Sequence, residues 1–160
     1  SGGWYHTIAT KTDGTLWSIG GSGKGQLGQN DRTYRSSPVQ IPGTTWSSIS
    51  AAYFYSYATK TDGTLWSWGY NRNGNLGQNN TTQYSSPVQI PGTTWSSISA
   101  GGRRNITAIK TDGTLWSWGY NFYGTSGQNN TTQYSSPVQI PGTTWSSIAA
   151  GGHSLATQLQ

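Results

Sequence analysis

Short runs that alternate apolar and polar side chains recur along the chain, first after 49 and then after 50 residues. In the run TLWSWG, an extended backbone places Trp66 and Trp68 on one face and Leu65 and Ser67 on the other. No segment combines helical periodicity with capping residues at its ends. The pattern therefore predicts an all-β chain built from short strands.

Each repeat contains four such runs, which we name strands a, b, c and d. Strand a is TTWSSISA, strand b ends in ATK or AIK, strand c is TLWSWG and strand d is SSPVQI. The Asp-Gly pair between b and c favours a tight hairpin, because its turn needs positive φ. The proline of strand d has no amide hydrogen for a ladder, so this strand fits an outer edge. A Pro-Gly pair then leads into the next strand a.

Four antiparallel strands repeated every 40–50 residues are typical of β-propeller blades. On this basis, residues 1–43 supply strands b, c and d of one blade, 44–92 and 93–142 are full blades, and 143–160 supply strands a and b of a further one. About three blades do not close a ring, and an open arc exposes sheet edges and apolar faces. We expect the open arc to be completed by a second copy of the chain, in a ring or a filament, or by flanking blades of a longer chain.

Composition indicates a folded chain with a polar surface. Aromatic residues make up 13% of the chain and charged residues 8%, and large aromatics can form a core where aliphatic residues are scarce. The nine Lys and Arg that set the net charge of +5 are scattered, with only Arg103 and Arg104 adjacent. Nucleic-acid binders cluster such residues on one face, so we expect no nucleic-acid partner. No apolar run is long enough to predict a membrane span.

Groups suited to acid–base catalysis are few. The carboxylates are Asp13, Asp31, Asp62 and Asp112. Three of them belong to the Asp-Gly turns, and Asp31 stands where the other copies have asparagine. His6 and His153 occupy equivalent positions at the start of strand b, and two lone histidines are a weak signal for a metal. The chain has no cysteine, nucleophile elbow, phosphate loop or zinc spacing. We expect a non-enzymatic protein without a cofactor or metal.

Two parts of the repeat differ in how much they vary. Residues 58–98 and 108–148 differ at five positions. Four of these lie in the c–d connection, where residues 72–76 align with residues 122–126. The a–b connections also vary, whereas the b–c turn KTDGT and the d–a connection IPGTTW are the same in every copy. In an up-and-down sheet the a–b and c–d connections lie at one end. The sequence therefore predicts one variable and one constant rim.

The variable connections are rich in Trp, Tyr and Arg, the residues that dominate binding hot spots. The candidate ligand- or partner-binding residues are Trp4, Tyr5, His6, Tyr53, Phe54, Tyr55, Arg72, Asn73, Arg103, Arg104, Asn105, Phe122, Tyr123 and His153. We expect this rim to recognise a protein or a surface. A lectin-like propeller that stacks sugars on the rim aromatics is an alternative. A purely structural building block, whose loops simply tolerate change, is another.

The repeated residues resemble a known family. The order I-S-A-G-G, T-x-A-x-K-T-D-G-T-L-W-S-W-G, G-x-L-G and S-P-V is similar to the RCC1-type repeat, named for the regulator of chromosome condensation. The resemblance covers nearly the whole chain in three copies. It implies an RCC1-like β-propeller, a kind whose closed rings usually have seven blades, and a fold that can work by binding through loops.

Composition also bears on location. A chain without cysteine, low in charge and rich in Asn, Thr and Gly is similar in composition to bacterial or phage surface and virion proteins. We therefore expect an extracellular, virion or cell-surface location, and a cytoplasmic location stays open.

Overall fold

The computed structural model describes residues 1–101, 104–150 and 154–158, and the regular elements within them are all β-strands. The strands are β1 (His6–Thr10), β2 (Leu16–Gly20), β3 (Arg35–Ile41), β4 (Trp46–Ala52), β5 (Tyr55–Lys60), β6 (Leu65–Gly69), β7 (Tyr84–Ile90), β8 (Trp95–Ala100), β9 (Asn105–Lys110), β10 (Leu115–Gly119), β11 (Tyr134–Ile140), β12 (Trp145–Ala150) and β13 (Ser154–Gln158). A search of the described residues finds no helix that could cross a membrane.

The strands form antiparallel sheets that follow the chain order. Blade 1 consists of β1, β2 and β3, blade 2 of β4 to β7, and blade 3 of β8 to β11, while β12 pairs with β13 in a two-stranded sheet. In the b–c turn of blade 1, Gly14 has a φ of 78° and the Asp13 carboxylate accepts hydrogen bonds from the Thr15 amide and hydroxyl. The predicted all-β architecture of antiparallel blades is confirmed.

The first residues of the chain occupy the end of strand a in blade 1. The Ser1 amino group donates to Ile8 O at 2.9 Å, and Ile8 N donates to Ser1 O at 3.0 Å. Ala51 N donates to the Ser1 hydroxyl at 2.9 Å, and Ala100 N donates to the Ser50 hydroxyl at 3.0 Å. Ser1 and Ser50 are therefore equivalent, and blade 1 includes a piece of strand a beyond the expected b, c and d.

The hydrophobic core lies between the blades. One cluster of buried side chains joins blades 1 and 2 and includes Ile8, Leu16 and Trp68. A second cluster joins blades 2 and 3 and includes Leu76 and Trp118. Both large indoles are fully buried, because each blade covers the face of the next.

The c–d connection of each blade lies on strand d of the next blade. Asn30 N donates to Ser85 O at 2.8 Å, and at the following junction Asn79 N donates to Ser135 O at 2.7 Å. The backbones approach so closely that a β carbon on Gly25 would lie 2.7 Å from the Ser85 Cα atom. Glycine is required where another backbone comes this near.

The same connection also contacts strand c of the next blade. Trp68 Nε1 donates to Gln26 O at 2.9 Å, and Trp118 Nε1 donates to Asn75 O at 2.8 Å. The Tyr57 hydroxyl donates to Asn75 O as well. A buried indole N–H or phenol needs a hydrogen-bond acceptor. For the two indoles the acceptor is a loop carbonyl of the preceding blade, and for Tyr57 it is a loop carbonyl of its own blade.

His6 lies between blades 1 and 2 with 4% of its surface exposed. Its Nε2 atom is 2.8 Å from the Ser56 hydroxyl oxygen, and that hydroxyl donates to Gln26 O at 3.0 Å. Nε2 therefore carries the hydrogen and donates to Ser56. Burial, and secondarily the positive N-terminus, lower the pKa of His6 from 6.5 to about 4, so the ring is neutral near pH 7.

Replacing Gly74 by alanine should destabilise the fold more than replacing Gly124. Both glycines have a φ of 69°, so a new side chain adds the same backbone strain, roughly 1–2 kcal/mol. A β carbon at Gly74 would lie 2.6 Å from the Ser135 Cα atom, whereas at Gly124 the nearest described atom is Asn130 O at 3.9 Å. We expect Gly74→Ala to lower the free energy of unfolding by an extra ~1–3 kcal/mol, measured by urea denaturation in dilute solution. Equal losses would contradict the junction described here.

The free energy of unfolding should fall as the pH drops from about 6.5 to about 4. The unfolded chain binds a proton at His6 near the ordinary pKa of 6.5, but the folded chain does so only near 4. Protonation therefore favours unfolding in this window, by up to about 3 kcal/mol. His6→Asn is the matched control, because Asn105 fills the equivalent buried position in blade 3. Urea denaturation across this window should show a smaller pH slope for the variant, and equal slopes would refute the assignment.

Candidate functional site

The a–b and c–d connections meet at one end of the blades, which we call the variable rim. The same backbone hydrogen bond joins the start of the c–d connection to the a–b connection in three blades: Gly21 N to Tyr5 O at 2.6 Å, Tyr70 N to Phe54 O at 2.9 Å, and Tyr120 N to Arg104 O at 3.1 Å. The two kinds of variable loop therefore form one surface.

The b–c turns and d–a connections form the constant rim at the other end. Trp46 N of blade 2 donates to Gly14 O of blade 1 at 3.0 Å. Lys60 Nζ lies 4.8 Å from the ring centroid of Trp46 and 4.5 Å from that of Trp66. Lys110 makes the same two contacts in blade 3. These cation–π contacts are the same in blades 2 and 3, which fits a structural role for the constant rim.

Aromatic side chains of blades 1 and 2 pack together on the variable rim. The Trp4 ring meets the Tyr53 ring edge-on with centroids 4.5 Å apart, and the Tyr5 and Phe54 rings stack at 5.3 Å with 5° between their planes. Trp4 is 64% exposed and Tyr5 61% exposed. The two a–b connections thus present a joined aromatic surface to solvent.

Arg104 extends this surface to blade 3. Its guanidinium carbon lies 4.4 Å from the centroid of the Tyr53 ring and 5.3 Å from that of the Tyr70 ring. Its Nη1 atom donates to Asn73 Oδ1 at 3.1 Å, and Asn73 Nδ2 donates to Gln133 Oε1 at 3.1 Å. The arginine is therefore held in place by two aromatic faces and one amide.

A second aromatic cluster lies on the c–d connection of blade 3. The Phe122 ring stacks on Tyr120 at 6.3 Å and meets the Tyr123 ring edge-on at 5.1 Å. Phe122 is 63% exposed and Tyr123 61% exposed. In blade 2 the equivalent residues are Arg72 and Asn73, which were also predicted as binding residues. Arg72 is exposed and Asn73 is half-buried.

A cavity of about 730 Å³ opens at the blade 1 end of the variable rim. Its lining includes the stacked pair Tyr5 and Phe54 together with Lys24, Tyr34 and Ser36. Tyr34 of this lining is 73% exposed. The cavity thus combines aromatic faces with two basic residues, Lys24 and Arg35, of which Arg35 is paired with Asp31.

Three predicted rim residues are buried, which corrects the expectation that they lie in exposed loops. Tyr55 and Asn105 are fully buried, and His6 is nearly so. Each is the first residue of its strand b, and its side chain points between blades. The Tyr55 hydroxyl donates to Gly101 O at 3.0 Å, and burial raises the pKa of Tyr55 above its ordinary value. The remaining predicted residues Arg103 and His153 lie outside the described residues.

Sequence reasoning missed three aromatic residues of this surface. Tyr70 and Tyr120 are the same in blades 2 and 3, so a criterion based on variation passed over them. Tyr34 stands where the other copies have Gln83 and Gln133, and that substitution was the available signal.

The carboxylates are committed to local contacts. In the b–c turns, a hydrogen bond from the hydroxyl of Thr15, Thr64 or Thr114 is the main cause that lowers the pKa of the neighbouring aspartate. Asp31 forms an ion pair with Arg35 at 2.5 Å. At the equivalent positions of blade 2, Asn80 Nδ2 donates a hydrogen bond to the Tyr84 hydroxyl. Asp31 is therefore one half of a paired substitution. The described residues contain no group of three His, Asp or Glu that could hold a metal.

Sequence comparison identifies repeats of one kind. The family described as regulator of chromosome condensation (RCC1) repeat matches at residues 13–59, 62–106 and 112–157. A second description of that repeat matches at residues 95–125. Comparison with curated protein sequences finds no match.

Solved structures share the fold. Human WBSCR16 superposes with a TM-score of 0.85 at 23% identity, covering 97% of this chain and 43% of its own. Prp20p from Saccharomyces cerevisiae, reported with its binding to Gsp1p and histones, gives 0.85 at 20% identity, covering 99% and 43%. Yeast RCC1 (Prp20) bound by Kap60 gives 0.84 at 21% identity, covering 99% and 42%. The chain spans less than half the length of these proteins, and it belongs to the RCC1 repeat family.

Proposed function

We propose that the chain is a non-enzymatic binding module whose variable rim recognises another protein. Solved relatives of this fold are reported with protein partners, namely Gsp1p, histones and Kap60. The commitment of the carboxylates to turns and an ion pair supports a binding role over catalysis. The proposal concerns this chain's own rim and takes no partner from those relatives.

One observation carries the proposal. Trp4, Tyr53, Tyr70 and Arg104 form a continuous surface through ring and cation–π contacts across three blades. Large aromatics and arginine dominate protein-binding hot spots, because they bury much area at low entropic cost. Side chains already packed against one another lose little further freedom when a partner binds. Such a preorganised surface suits recognition.

Charge indicates the kind of partner. Lys24, Arg72 and Arg104 lie on the loops of the variable rim, whereas the turn aspartates lie at the constant rim. Asp31 is neutralised by Arg35. The variable rim is therefore net positive, and an acidic protein surface would complement it.

The proposal includes self-association of the open arc. The chain has blade edges at both ends, and unpaired edges and exposed apolar side chains favour assembly. A second copy of the chain or flanking blades of a longer polypeptide would both cover those edges.

A carbohydrate ligand is the second candidate. The stacked Tyr5 and Phe54 rings beside the cavity of about 730 Å³, together with the exposed faces of Trp4 and Phe122, offer surfaces on which sugar rings could stack. In this hypothesis the ligand binds at the blade 1 cavity, whereas a protein partner would bind around Arg104 and Tyr53.

Replacing Trp4 and Arg104 together by alanine should weaken binding of a protein partner. Immobilised chain would be used for affinity capture from source-cell extract, and the recovered protein would then be purified and titrated. We expect the double variant to weaken binding at least about tenfold, since it removes an aromatic and an arginine from the centre of the surface. Added salt should weaken binding to the native chain.

The control variant is Thr44→Ala with Thr93→Ala, which changes two exposed residues of the constant rim. It should bind like the native chain. Loss of binding in this control, with binding retained by the Trp4 and Arg104 variant, would refute the variable rim as the site. Binding to a soluble glycan panel that is lost on Tyr5→Ala would favour the carbohydrate candidate instead.

A further inference from the structure

A second cavity, of about 300 Å³, lies between blades 1 and 2 beside the constant rim. Blade 1 contributes Gln29 and Pro42 to its lining, and blade 2 contributes Lys60, Trp66 and Ser86. A cavity of this size is at the lower end of the range for small-molecule sites. Both of its walls belong to neighbouring blades of this chain, and we call it groove 1–2.

The same groove recurs between blades 2 and 3. Each lining position of groove 1–2 carries the same residue at the equivalent position of the next junction. The rings of Trp46 and Trp66 have centroids 6.1 Å apart, and those of Trp95 and Trp116 are 6.1 Å apart as well. The repeat therefore builds a second copy, which we call groove 2–3.

Two hydrogen-bond donors border one point in each groove. A β carbon on Gly43 would lie 3.5 Å from Trp46 Nε1 and 3.8 Å from Lys60 Nζ. On Gly92 it would lie 3.7 Å from each of the two equivalent nitrogens. Trp46 Nε1 and Trp95 Nε1 are buried and have no acceptor among the residues that the structure describes. A buried N–H without an acceptor costs free energy, which an oxygen atom arriving at this point would recover.

The lysine brings a positive charge to the groove without a carboxylate partner. Within the described part of the chain, the one ion pair joins Arg35 to Asp31. The nearby Asp62 carboxylate accepts hydrogen bonds from the Thr64 amide and hydroxyl instead. The two indole rings hold the ammonium of Lys60 by cation–π contacts, but they give its N–H groups no oxygen acceptor. An anionic oxygen is therefore the atom that best complements the two donors.

The rest of the lining suits a sugar ring. Gln29 Nε2 donates to Gln40 O at 3.2 Å, and in groove 2–3 Gln78 Nε2 donates to Gln89 O at 3.0 Å. The amide is thereby oriented, and its Oε1 atom remains an acceptor for a hydroxyl group. The exposed ring of Pro42 adds an apolar surface. Sugar hydroxyls can donate to the amide oxygen, whereas the carboxylate of an acidic side chain cannot.

We propose that each groove binds one acidic monosaccharide unit, a uronate, whose carboxylate accepts from the lysine ammonium and the indole N–H. In the free chain the indole nitrogen of Trp46 is closed to solvent. The flexible side chain of Lys60 ends at the point that the carboxylate would occupy, so it turns away from the indoles to admit the ligand. This site is separate from the variable rim, and it does not depend on protein recognition there.

The test is a titration of the isotope-labelled native chain with D-galacturonate, followed by heteronuclear NMR of the tryptophan indole N–H groups. We expect the signals of Trp46 and Trp95 to shift saturably, because each indole gains an acceptor. D-galactose has a hydroxymethyl group in place of the carboxylate and should bind at least about tenfold more weakly, since a hydrogen bond to a charged group is lost.

Lys60→Gln together with Lys110→Gln should raise the dissociation constant for galacturonate at least about tenfold. Glutamine keeps a donor but removes the charge. Each single variant should remove the shift of one indole signal, Trp46 for Lys60→Gln and Trp95 for Lys110→Gln, and leave the other. This pairing distinguishes binding in two separate grooves from a general effect on the fold.

A second double variant fills the grooves and keeps both lysines. Ser86 and Ser136 are half-buried on the strand-d wall, so Ser86→Tyr with Ser136→Tyr should also raise the dissociation constant at least about tenfold. Urea denaturation of each variant would show that it is folded.

Lys11→Gln with Arg32→Gln is the matched control. It removes the same net charge from two exposed positions. Lys11 also makes a cation–π contact, 4.0 Å from the centroid of the Trp17 ring, but neither changed residue lines a groove. This variant should bind galacturonate like the native chain.

The proposal is overturned if galacturonate produces no saturable shift at Trp46 and Trp95. It is also overturned if galactose binds as tightly as galacturonate, or if the control loses as much affinity as the lysine variant. Equal or tighter binding of the peptide Gly-Glu-Gly would indicate an acidic peptide as the ligand and overturn the sugar. None of these results bears on the variable rim, because the Trp4 and Arg104 variant leaves both grooves unchanged.

Discussion

Each blade depends on the c–d connection of the blade before it. That connection places a glycine against a strand-d serine and a backbone carbonyl against a buried indole N–H, as Gly25 and Gln26 do for Ser85 and Trp68. The chain is poor in aliphatic residues, so large aromatics fill the inter-blade layers. Their polar atoms need acceptors there. The loop that joins two strands of one blade therefore also closes the core of the next.

This dependence explains why part of the repeat stays constant. Residues 77–98 and 127–148 are identical in sequence, and within the first copy Asn79, Ser85 and Trp95 each make junction contacts. A larger residue at Ser85, or one that disfavours the φ of 54° at Asn79, would disturb the close approach of the two backbones. Residue 72 projects from the rim instead, so its side chain can change without disturbing the stack. Residue 73 contacts the next blade only through the rim side chains of Gln133 and Arg104.

Local signals were sufficient to predict the strands, because Asp-Gly and Pro-Gly pairs mark turns through backbone conformation alone. They were insufficient for the first residue of strand b, since the direction of its side chain depends on the register with strand c and on the adjacent blade. Tyr55 and Asn105 are buried for this reason. Tyr70 was missed because it does not vary, yet Arg104 packs on its ring. Sequence variation between the repeats identified the loops, but the side-chain contacts that form the rim surface are seen only in the structure.

Blades 1 and 3 differ from blade 2 both at interior positions and on the variable rim. Ile19 and Ser126 reduce the apolar contact in the layer, and Tyr34 and Tyr123 add aromatic area at the rim. These changes act in opposite directions. The layer between blades is dry and needs close packing, so smaller residues there weaken cohesion, whereas the exposed tyrosines change the rim without opening a core.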